Sequence, residues 1–254
     1  MEPMYHIGLD DTHGARYAIL PGDPGRVEKI ADFLEEPRFL CRNREYTTYV
    51  GKLEGENVLV MSTGMGGPST AIGVEELYQT GVRTFVRVGT CGGMATQVMG
   101  GDLVVAQASI RMEGTSKEYV AIEFPAVADL DVTNALVQAG RGLGVATHAG
   151  VVQCKDSFYG QHSPERMPAG NELMEKWDQW LKAGCLASEM ESAALFIVAQ
   201  VLRARAGCVL NVCWNQERKK QGLSDPQCHD TTKAIQAAVE AIRILIRQEK
   251  EKAQ

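Results

Sequence analysis

The sequence has no apolar run long enough to cross a lipid bilayer and no secretory hydrophobic segment. Its formal net charge is −6, so it lacks the basic excess of a nucleic-acid-binding protein. The seven cysteines are odd in number and form no CxxC pair, which argues against a disulfide framework or a structural zinc site. We therefore expect a cytoplasmic protein with reduced thiols and with no membrane or nucleic-acid partner.

Two other signatures of cofactor binding are missing. The five histidines show no metal-ligand spacing. The glycines of the run Gly89-x-x-Gly92-Gly93 lack the GxGxxG spacing of dinucleotide-binding loops. We expect neither a metal ion nor a dinucleotide cofactor.

Linkers, internal repeats and low-complexity segments are also absent, so we expect one domain over residues 1–254. Apolar, β-branched runs alternate with helical patterns along most of the chain. This alternation predicts an α/β fold in which helices cover both faces of a largely parallel or mixed sheet. Ligands of such folds bind beyond the carboxyl ends of the strands.

The stretch over residues 84–93 is the most informative one. Its apolar half predicts a buried strand, and its second half, which places Thr90 among glycines, predicts a loop with free backbone amides. Arg87 lies within the strand, where a guanidinium is costly unless an anion pairs with it. The combination predicts an oxyanion site, most simply for phosphate. A structural ion pair of Arg87 explains the residue equally well at this point.

Two further glycine-rich turns follow predicted strands. The turn over 21–25 leads directly to Arg26 at a helix start, a position that favours anions. The loop over 63–70 also leads into a helix. A plain strand-turn-helix junction with an exposed arginine remains an alternative for Arg26.

Three helical patterns carry expectations about caps and buried faces. The helix over 132–143 would be capped by Asp131 or Thr133. The apolar residues of the helix over 171–183 form one predicted buried face: Leu173, Trp177, Trp180 and Leu181. The closing helix over 231–247 would bury Ile235, Val239, Ile242 and Ile246, and its charged tail would be frayed.

Several motifs, taken together and in order, resemble the nucleoside phosphorylase family, most closely its uridine phosphorylase branch. They are PGDP at 21–24, REYTT at 44–48, STGMGGPS at 62–69, RVGT at 87–90, EFPAVAD at 123–129 and EMES at 189–192. The similarity extends from about His6 to Asn215. It implies a single-domain three-layer α/β/α sandwich, around a mixed sheet that closes into a distorted barrel. It also implies the reversible phosphorolysis of uridine to uracil and ribose 1-phosphate, a reaction of pyrimidine salvage.

The resemblance implies roles for the matching residues. The phosphate would be held by Gly22, Arg26, Arg87 and Thr90, with Arg44 added from a neighbouring subunit. The nucleoside would be held by Phe158, Gln161, Arg166, Glu189, Met190 and Glu191, with His6 added from a neighbouring subunit. The catalytic residues would be Arg26, Arg87 and Glu191. Sites shared in this way imply a homo-oligomer, a hexamer built of dimers.

Phosphate itself is the nucleophile of such a reaction, so the protein needs none. Arginines would fix its orientation and charge, and Glu191 would accept hydrogen bonds from the ribose hydroxyls. No cofactor is needed beyond phosphate as co-substrate. Glu45 and Ser69 match positions that line a monovalent cation site in some relatives, although a helix cap explains Ser69 as well.

The sequence departs from the branch pattern near the base. One residue is missing before Gly160, and the expected arginine is displaced to Arg166; either Arg166 or His162 is then expected at the pyrimidine. Trp214 comes just after a predicted strand, where family members often carry asparagine-arginine. Phe158 and Met190 are also compatible with an ordinary core position.

Three alternatives to a uridine phosphorylase stay open. A nucleosidase of the same fold would use water, which requires no anion-binding arginines. A purine nucleoside phosphorylase would carry a serine-aspartate pair after the strand that ends near Val212, where Trp214 and Asn215 lie instead. A non-catalytic nucleoside-binding protein is the third.

Overall fold

The structure is a computed structural model that describes residues 2–252. Its strands are β1 (Tyr17–Pro21), β2 (Glu35–Asn43), β3 (Tyr46–Leu53), β4 (Glu56–Met61), β5 (Thr84–Gly93), β6 (Leu103–Arg111), β7 (Ala126–Val127), β8 (Thr147–Cys154), β9 (Ala187–Glu189) and β10 (Arg205–Asn215). Its α-helices are α1 (Val27–Ala31), α2 (Gly67–Gln79), α3 (Thr115–Tyr119), α4 (Leu130–Gly142), α5 (Phe158–His162), α6 (Gly170–Lys182), α7 (Ser192–Val201), α8 (Gln216–Lys220) and α9 (Thr232–Lys252).

All these strands belong to one mixed sheet, in the order β10-β6-β8-β9-β5-β1-β4-β3-β2, with β7 beside β6. Strand β10 pairs antiparallel with β6 and also parallel with β5. The strands β5, β10, β6, β8 and β9 therefore form a closed ring, from which β1, β4, β3 and β2 extend as open sheet. The α/β fold with a mixed sheet is confirmed, and the ring is the distorted barrel that the resemblance implied.

Helices bury apolar residues on both faces of the sheet. Alternate side chains of β1 point to opposite faces: Ala18 and Leu20 pack in one core cluster with α2 and α7, whereas Tyr17 and Ile19 pack in the other with α1, α4 and α9. Residues 192–199 of helix α7 are all buried, because its sequence is apolar on nearly all sides. No helix within residues 2–252 is long and apolar enough to span a membrane.

The cap expected for α4 was wrong. The helix begins at Leu130, and the side chain of Asp129 caps it by accepting a hydrogen bond from the backbone N–H of Val132 at 3.0 Å. Asp129 has extended backbone geometry, which a capping residue needs. Asp131 and Thr133 already lie inside the helix and cannot occupy that position.

Other expectations about the helices were met in part. Helix α9 buries its expected face. Its tail is helical through Lys252 rather than frayed, and Arg247 contacts Glu54 at 2.6 Å; residues 253–254 of the expected tail lie outside the described residues. The apolar face of α6 is only half-buried, since it borders a large cavity described below. No sequence pattern predicted β2, because this exposed edge strand has charged residues and Pro37 in place of an apolar face.

Candidate active site

Three strand ends meet at one point of the molecule, as the glycine-rich turns predicted. The backbone N–H of Thr63 donates to the carbonyl of Pro21, and that of Gly64 to the carbonyl of Gly22, both at 2.9 Å. These bonds hold the turns after β1 and β4 together. The carboxyl half of β5, with Thr90, lies against the same cavity.

A cavity of about 700 Å³ opens there. It brings together most residues that the resemblance implied: Gly22, Arg26, Arg87, Thr90, Phe158, Gln161, Glu189, Met190 and Glu191. These residues come from widely separated parts of the chain. Parallel pairing of β5 with both β1 and β10 aligns the strand ends that carry them.

The predicted loop after Val88 was wrong. Residues 89–93 continue β5, and their backbone pairs with β10 and then with β9. The glycines serve another purpose: a Cβ atom at Gly89 would lie 2.7 Å from Nη2 and 2.9 Å from Cζ of Arg87. The absence of a side chain at Gly89 leaves the room in which the guanidinium lies.

Arg87 is both an ion-pair residue and a candidate anion ligand. Its Nε donates to Glu189 Oε2 at 3.2 Å, and its Nη2 donates to Glu191. Its Nη1 is buried and has no hydrogen-bond partner within residues 2–252. That nitrogen lies toward Gly22, 3.8 Å from where a Cβ would be. The two readings of Arg87 are therefore compatible, because two nitrogens serve the carboxylates and the third is free for a ligand.

The two carboxylates differ in their environments. Burial alone would raise the pKa of Glu189, but Arg87 and the hydrogen bonds of Ser192 outweigh it and lower that pKa. Burial raises the pKa of Glu191, although the Arg87 charge offsets part of the effect. Glu191 Oε1 also accepts the backbone N–H of Gly66 at 2.6 Å. The carboxylate form of Glu189 is therefore stabilised more than that of Glu191, and both side chains line the cavity.

A chain of polar groups lies at the other end of the cavity. Lys155 Nζ donates to Ser188 Oγ at 2.6 Å, Ser188 Oγ donates to Gln161 Oε1 at 2.9 Å, and Gln161 Nε2 donates to Gln216 Oε1 at 3.2 Å. Lys155 and Ser188 were missed in the sequence. The available signal was a lysine directly after the residues of β8, whose last three residues are buried and where an unpaired charge is costly.

Aromatic rings form one wall of the cavity. The centroids of Phe158 and His162 are 4.4 Å apart, and those of His162 and Trp214 are 5.8 Å apart. Phe158 is 42% exposed, so it is not the core residue that its type alone would suggest. Arg166 does not line this cavity; its guanidinium lies over Tyr159, 5.1 Å from the ring centroid. Of the two side chains expected near a base, His162 is the one at the cavity.

His6 and Arg44 do not reach the cavity of their own chain. His6 Nδ1 lies 2.5 Å from Glu76 Oε1, and the exposed Arg44 guanidinium lies 5.9 Å from the ring centroid of Tyr5. The side chain of Asn43, the residue before Arg44, donates to the carbonyl of His6 at 2.9 Å. His6 and Arg44 therefore lie on the same surface of the chain.

Glu45 and Ser69 lie together at the cavity. Ser69 Oγ is 2.7 Å from Glu45 Oε1, and it also contacts the carbonyl of Thr63. The N-cap of α2 is Gly66, so the capping role considered for Ser69 was wrong. Within residues 2–252 no group of three or more His, Cys, Asp and Glu side chains is arranged to hold a metal ion.

A larger cavity of about 1230 Å³ adjoins the first and is bordered in part by α6. Four residues line both: Lys155, Gln161, His162 and Trp214. The polar chain of Lys155 and Gln161 therefore lies where the two cavities meet.

The fold and this cavity define an α/β enzyme with a small-molecule site at the carboxyl ends of its strands. The chain belongs to the phosphorylase superfamily, whose model matches residues 16–247. The family that the motifs resembled is therefore confirmed.

Curated relatives cover nearly the whole chain. A uridine phosphorylase of Treponema pallidum (strain Nichols) is 56% identical over 245 residues, which are 96% of this chain and 95% of that protein. A uridine phosphorylase of Escherichia coli (strain K12) is 40% identical over 96% of this chain and 98% of its own length. A guanosine phosphorylase of Halorubrum lacusprofundi is 38% identical over 95% of each chain.

Proposed function

We propose that residues 1–254 act as a single nucleoside phosphorylase domain that converts uridine and phosphate to uracil and ribose 1-phosphate. The relatives named uridine phosphorylase support the reaction. The observation that carries the proposal is that one cavity is lined both by the guanidinium groups of Arg26 and Arg87 and by the amide of Gln161. We call the part at the two arginines the cationic end and the part at Gln161 the base end. Such a cavity suits an anion and an uncharged heterocycle held side by side.

Phosphate binds at the cationic end. Arg87 offers its free Nη1 beside Gly22, and Arg26 and Thr90 line the same space. Charge-assisted bonds from planar guanidinium groups orient the phosphate for attack on the anomeric carbon of the ribose. As the bond to the base loosens, the sugar gains positive charge and the phosphate oxygen approaches it.

Ribose binds between the two ends, at Glu191 and Met190. Glu191 accepts hydrogen bonds from ribose hydroxyls, and its negative charge stabilises the positive charge that develops on the sugar ring. Glu189 acts by positioning Glu191: Glu189 Oε2 accepts the backbone N–H of Glu191 at 2.9 Å and also contacts Arg87.

Uracil binds at Gln161, with its ring against Phe158. A side-chain amide supplies one acceptor and one set of donors, which match an N–H next to a carbonyl. His162 lines the same region, whereas Arg166 would have to leave Tyr159 to reach the base. We therefore assign His162, rather than Arg166, to the base end.

Arg44 and His6 act in the site of a neighbouring subunit, as the family pattern implies. This proposal is supported by the position of Arg44 and His6, which lie on one surface of the chain and outside its own cavity. The working unit is then a homo-oligomer, a hexamer built of dimers. Phosphate is a co-substrate and no cofactor takes part; Glu45 and Ser69 offer oxygen ligands for a monovalent cation.

A purine nucleoside is the second candidate substrate, because one relative is named guanosine phosphorylase. Asn215 cannot serve a purine as an acid, since its Nδ2 donates to the carbonyls of Ala95 and Val98, both at 2.8 Å. Trp214 also takes up room at the base end. Both observations favour the pyrimidine.

The test is nucleoside cleavage by the purified protein with and without phosphate, measured with uridine, inosine and guanosine. We expect cleavage only with phosphate and the highest kcat/KM with uridine. Cleavage without phosphate would establish a nucleosidase, and equal values for uridine and guanosine would end the pyrimidine assignment.

The Gln161→Ala variant tests the base site separately. We expect it to lose uridine turnover by about 100-fold or more, because the pyrimidine's polar edge then has no partner. Unchanged uridine turnover would remove Gln161 from the site and leave the phosphorylase assignment standing.

A further inference from the structure

A buried lysine without a carboxylate partner lies at the base end of the cavity. Lys155 is 5% exposed, and its Nζ contacts Ser188. The two carboxylates whose charges act on it, Glu189 and Glu191, are both paired with Arg87. Burial lowers the pKa of Lys155, and those carboxylates offset part of the effect. A buried ammonium with one hydroxyl partner is costly, so its other donors are available to a ligand.

The donor chain gives the amide of Gln161 a fixed orientation. An ammonium can only donate, so Ser188 Oγ must accept from Lys155. The single proton of Ser188 is then left for Gln161 Oε1, 2.9 Å away. Gln161 Nε2 consequently lies on the side of Gln216. A protonated Lys155 thus determines that Gln161 Oε1 points toward Ser188 and that Gln161 Nε2 points toward Gln216.

The cations of the cavity are divided between its two ends. Arg87 directs its free Nη1 toward Gly22, whereas Lys155 is joined through Ser188 to Gln161. Arg166, the cation that the sequence offered for the base, lies over Tyr159 instead. Among the lysines and arginines of residues 2–252 that line the 700 Å³ cavity, Lys155 is the one beside Gln161.

We propose that Lys155 binds a carbonyl oxygen of the base and stabilises the negative charge that the base gains as it leaves. This proposal rests on uridine phosphorolysis as the proposed function. The bond between the anomeric carbon and N1 breaks with both electrons going to the base, and a phosphate oxygen forms the new bond to that carbon. The proton of hydrogen phosphate ends on N1. Lys155 stays protonated throughout, so its contribution is electrostatic.

The test compares Lys155→Met and Lys155→Arg with the wild type, using uridine and 5-fluorouridine. Fluorine makes the base more acidic and therefore a better leaving group. We expect Lys155→Met to lower kcat/KM for uridine by about 100-fold or more. The loss with 5-fluorouridine should be smaller, because its base needs less stabilisation. The KM for phosphate should change little, and Lys155→Arg should recover part of the activity.

Several outcomes would overturn the proposal. Equal losses with both nucleosides, a loss confined to the KM for phosphate, or no loss would each show that Lys155 does not act on the leaving base. Thermal unfolding of each variant identifies a failure to fold, and Lys155→Gln, which keeps a donor without the charge, then makes the same comparison. If wild-type cleavage proves independent of phosphate, the proposed function falls rather than the role of Lys155.

Discussion

The backbone of Gly89 lies directly against the guanidinium of Arg87. A Cβ atom at position 89 would be 2.7 Å from Arg87 Nη2 and 2.9 Å from Leu210 Cδ2 on the neighbouring strand. Both distances are far below ordinary contact. Position 89 therefore accepts no side chain unless the arginine moves.

We predict that Gly89→Ala lowers kcat/KM for phosphate by about 100-fold or more, because a displaced Arg87 loses its charge-assisted contacts in the transition state. The control is Gly142→Ala in α4, where an added Cβ meets nothing within 4 Å. That control should keep full activity. Wild-type kinetics in Gly89→Ala would contradict the placement of Arg87.

Substitutions of Arg87 and Arg26 should both lower activity but differ in their effect on the free energy of unfolding. Arg87→Met leaves Glu189 and Glu191 buried without their cation, so we expect a loss of about 3–5 kcal/mol in the free energy of unfolding along with the activity. Among residues 2–252, Arg26 forms an ion pair only with the exposed Asp23, at 3.8 Å. Arg26→Met should therefore lose activity but less than about 1 kcal/mol of stability.

Urea unfolding and kcat/KM for phosphate measure the two effects of these substitutions. Equal stabilities of the two variants would mean that the Arg87 ion pairs contribute little to the fold. Full activity of Arg26→Met would remove Arg26 from the phosphate site.

Many features of the fold and of the candidate site could be predicted from the sequence, because they depend on local sequence patterns. The core face of α9 followed from periodicity, and the meeting of the glycine turns followed from the rule for strand ends. The partners of Arg87 could not be read, since Glu189 and Glu191 are 102 and 104 residues away in the chain. The burial of Lys155 likewise depends on how β8 and β9 align.

Shared sites should allow two inactive variants to complement each other. We expect Arg44→Ala and Arg26→Ala to be inactive alone. After mixing and subunit exchange, some interfaces would combine an intact cavity with an intact Arg44, so phosphorolysis should reappear.

The matched control for this experiment is a mixture of Arg26→Ala and Glu191→Gln. Both residues belong to the cavity of one chain, so no interface of that mixture holds a complete site. Absence of recovery in the first mixture, after subunit exchange has been verified by mass, would count against a site built by two chains.

Acid should destabilise the protein through His13. This histidine is 5% exposed, and its Nδ1 accepts the backbone N–H of Ala15 at 2.9 Å. Burial lowers its pKa below the usual 6.5, while Asp10 and Asp11 offset part of the shift. The folded state therefore favours the neutral ring. The stability that His13 contributes is complete above pH 6.5 and is lost as the pH falls toward the lowered pKa.

We predict that His13→Asn weakens the dependence of the free energy of unfolding on pH just below 6.5. Asparagine keeps an acceptor for Ala15 and does not titrate. The effect is at most about 1.4 kcal/mol per pH unit. Urea titrations of both proteins at several pH values measure it, and parallel curves would exclude His13 as the source.

The pairing of β10 with both β5 and β6 constrains the order in which the protein can assemble. Thr84 and Arg205 are neighbours in the ring although 121 residues separate them, so the ring cannot close on the ribosome until most of the chain has been synthesised. Contacts between such distant segments form slowly. A product that terminates before Arg205 leaves the edges of β5 and β6 unpaired, and unpaired edges promote aggregation. Strand β10 therefore both completes the ring and protects the edges of β5 and β6 from aggregation.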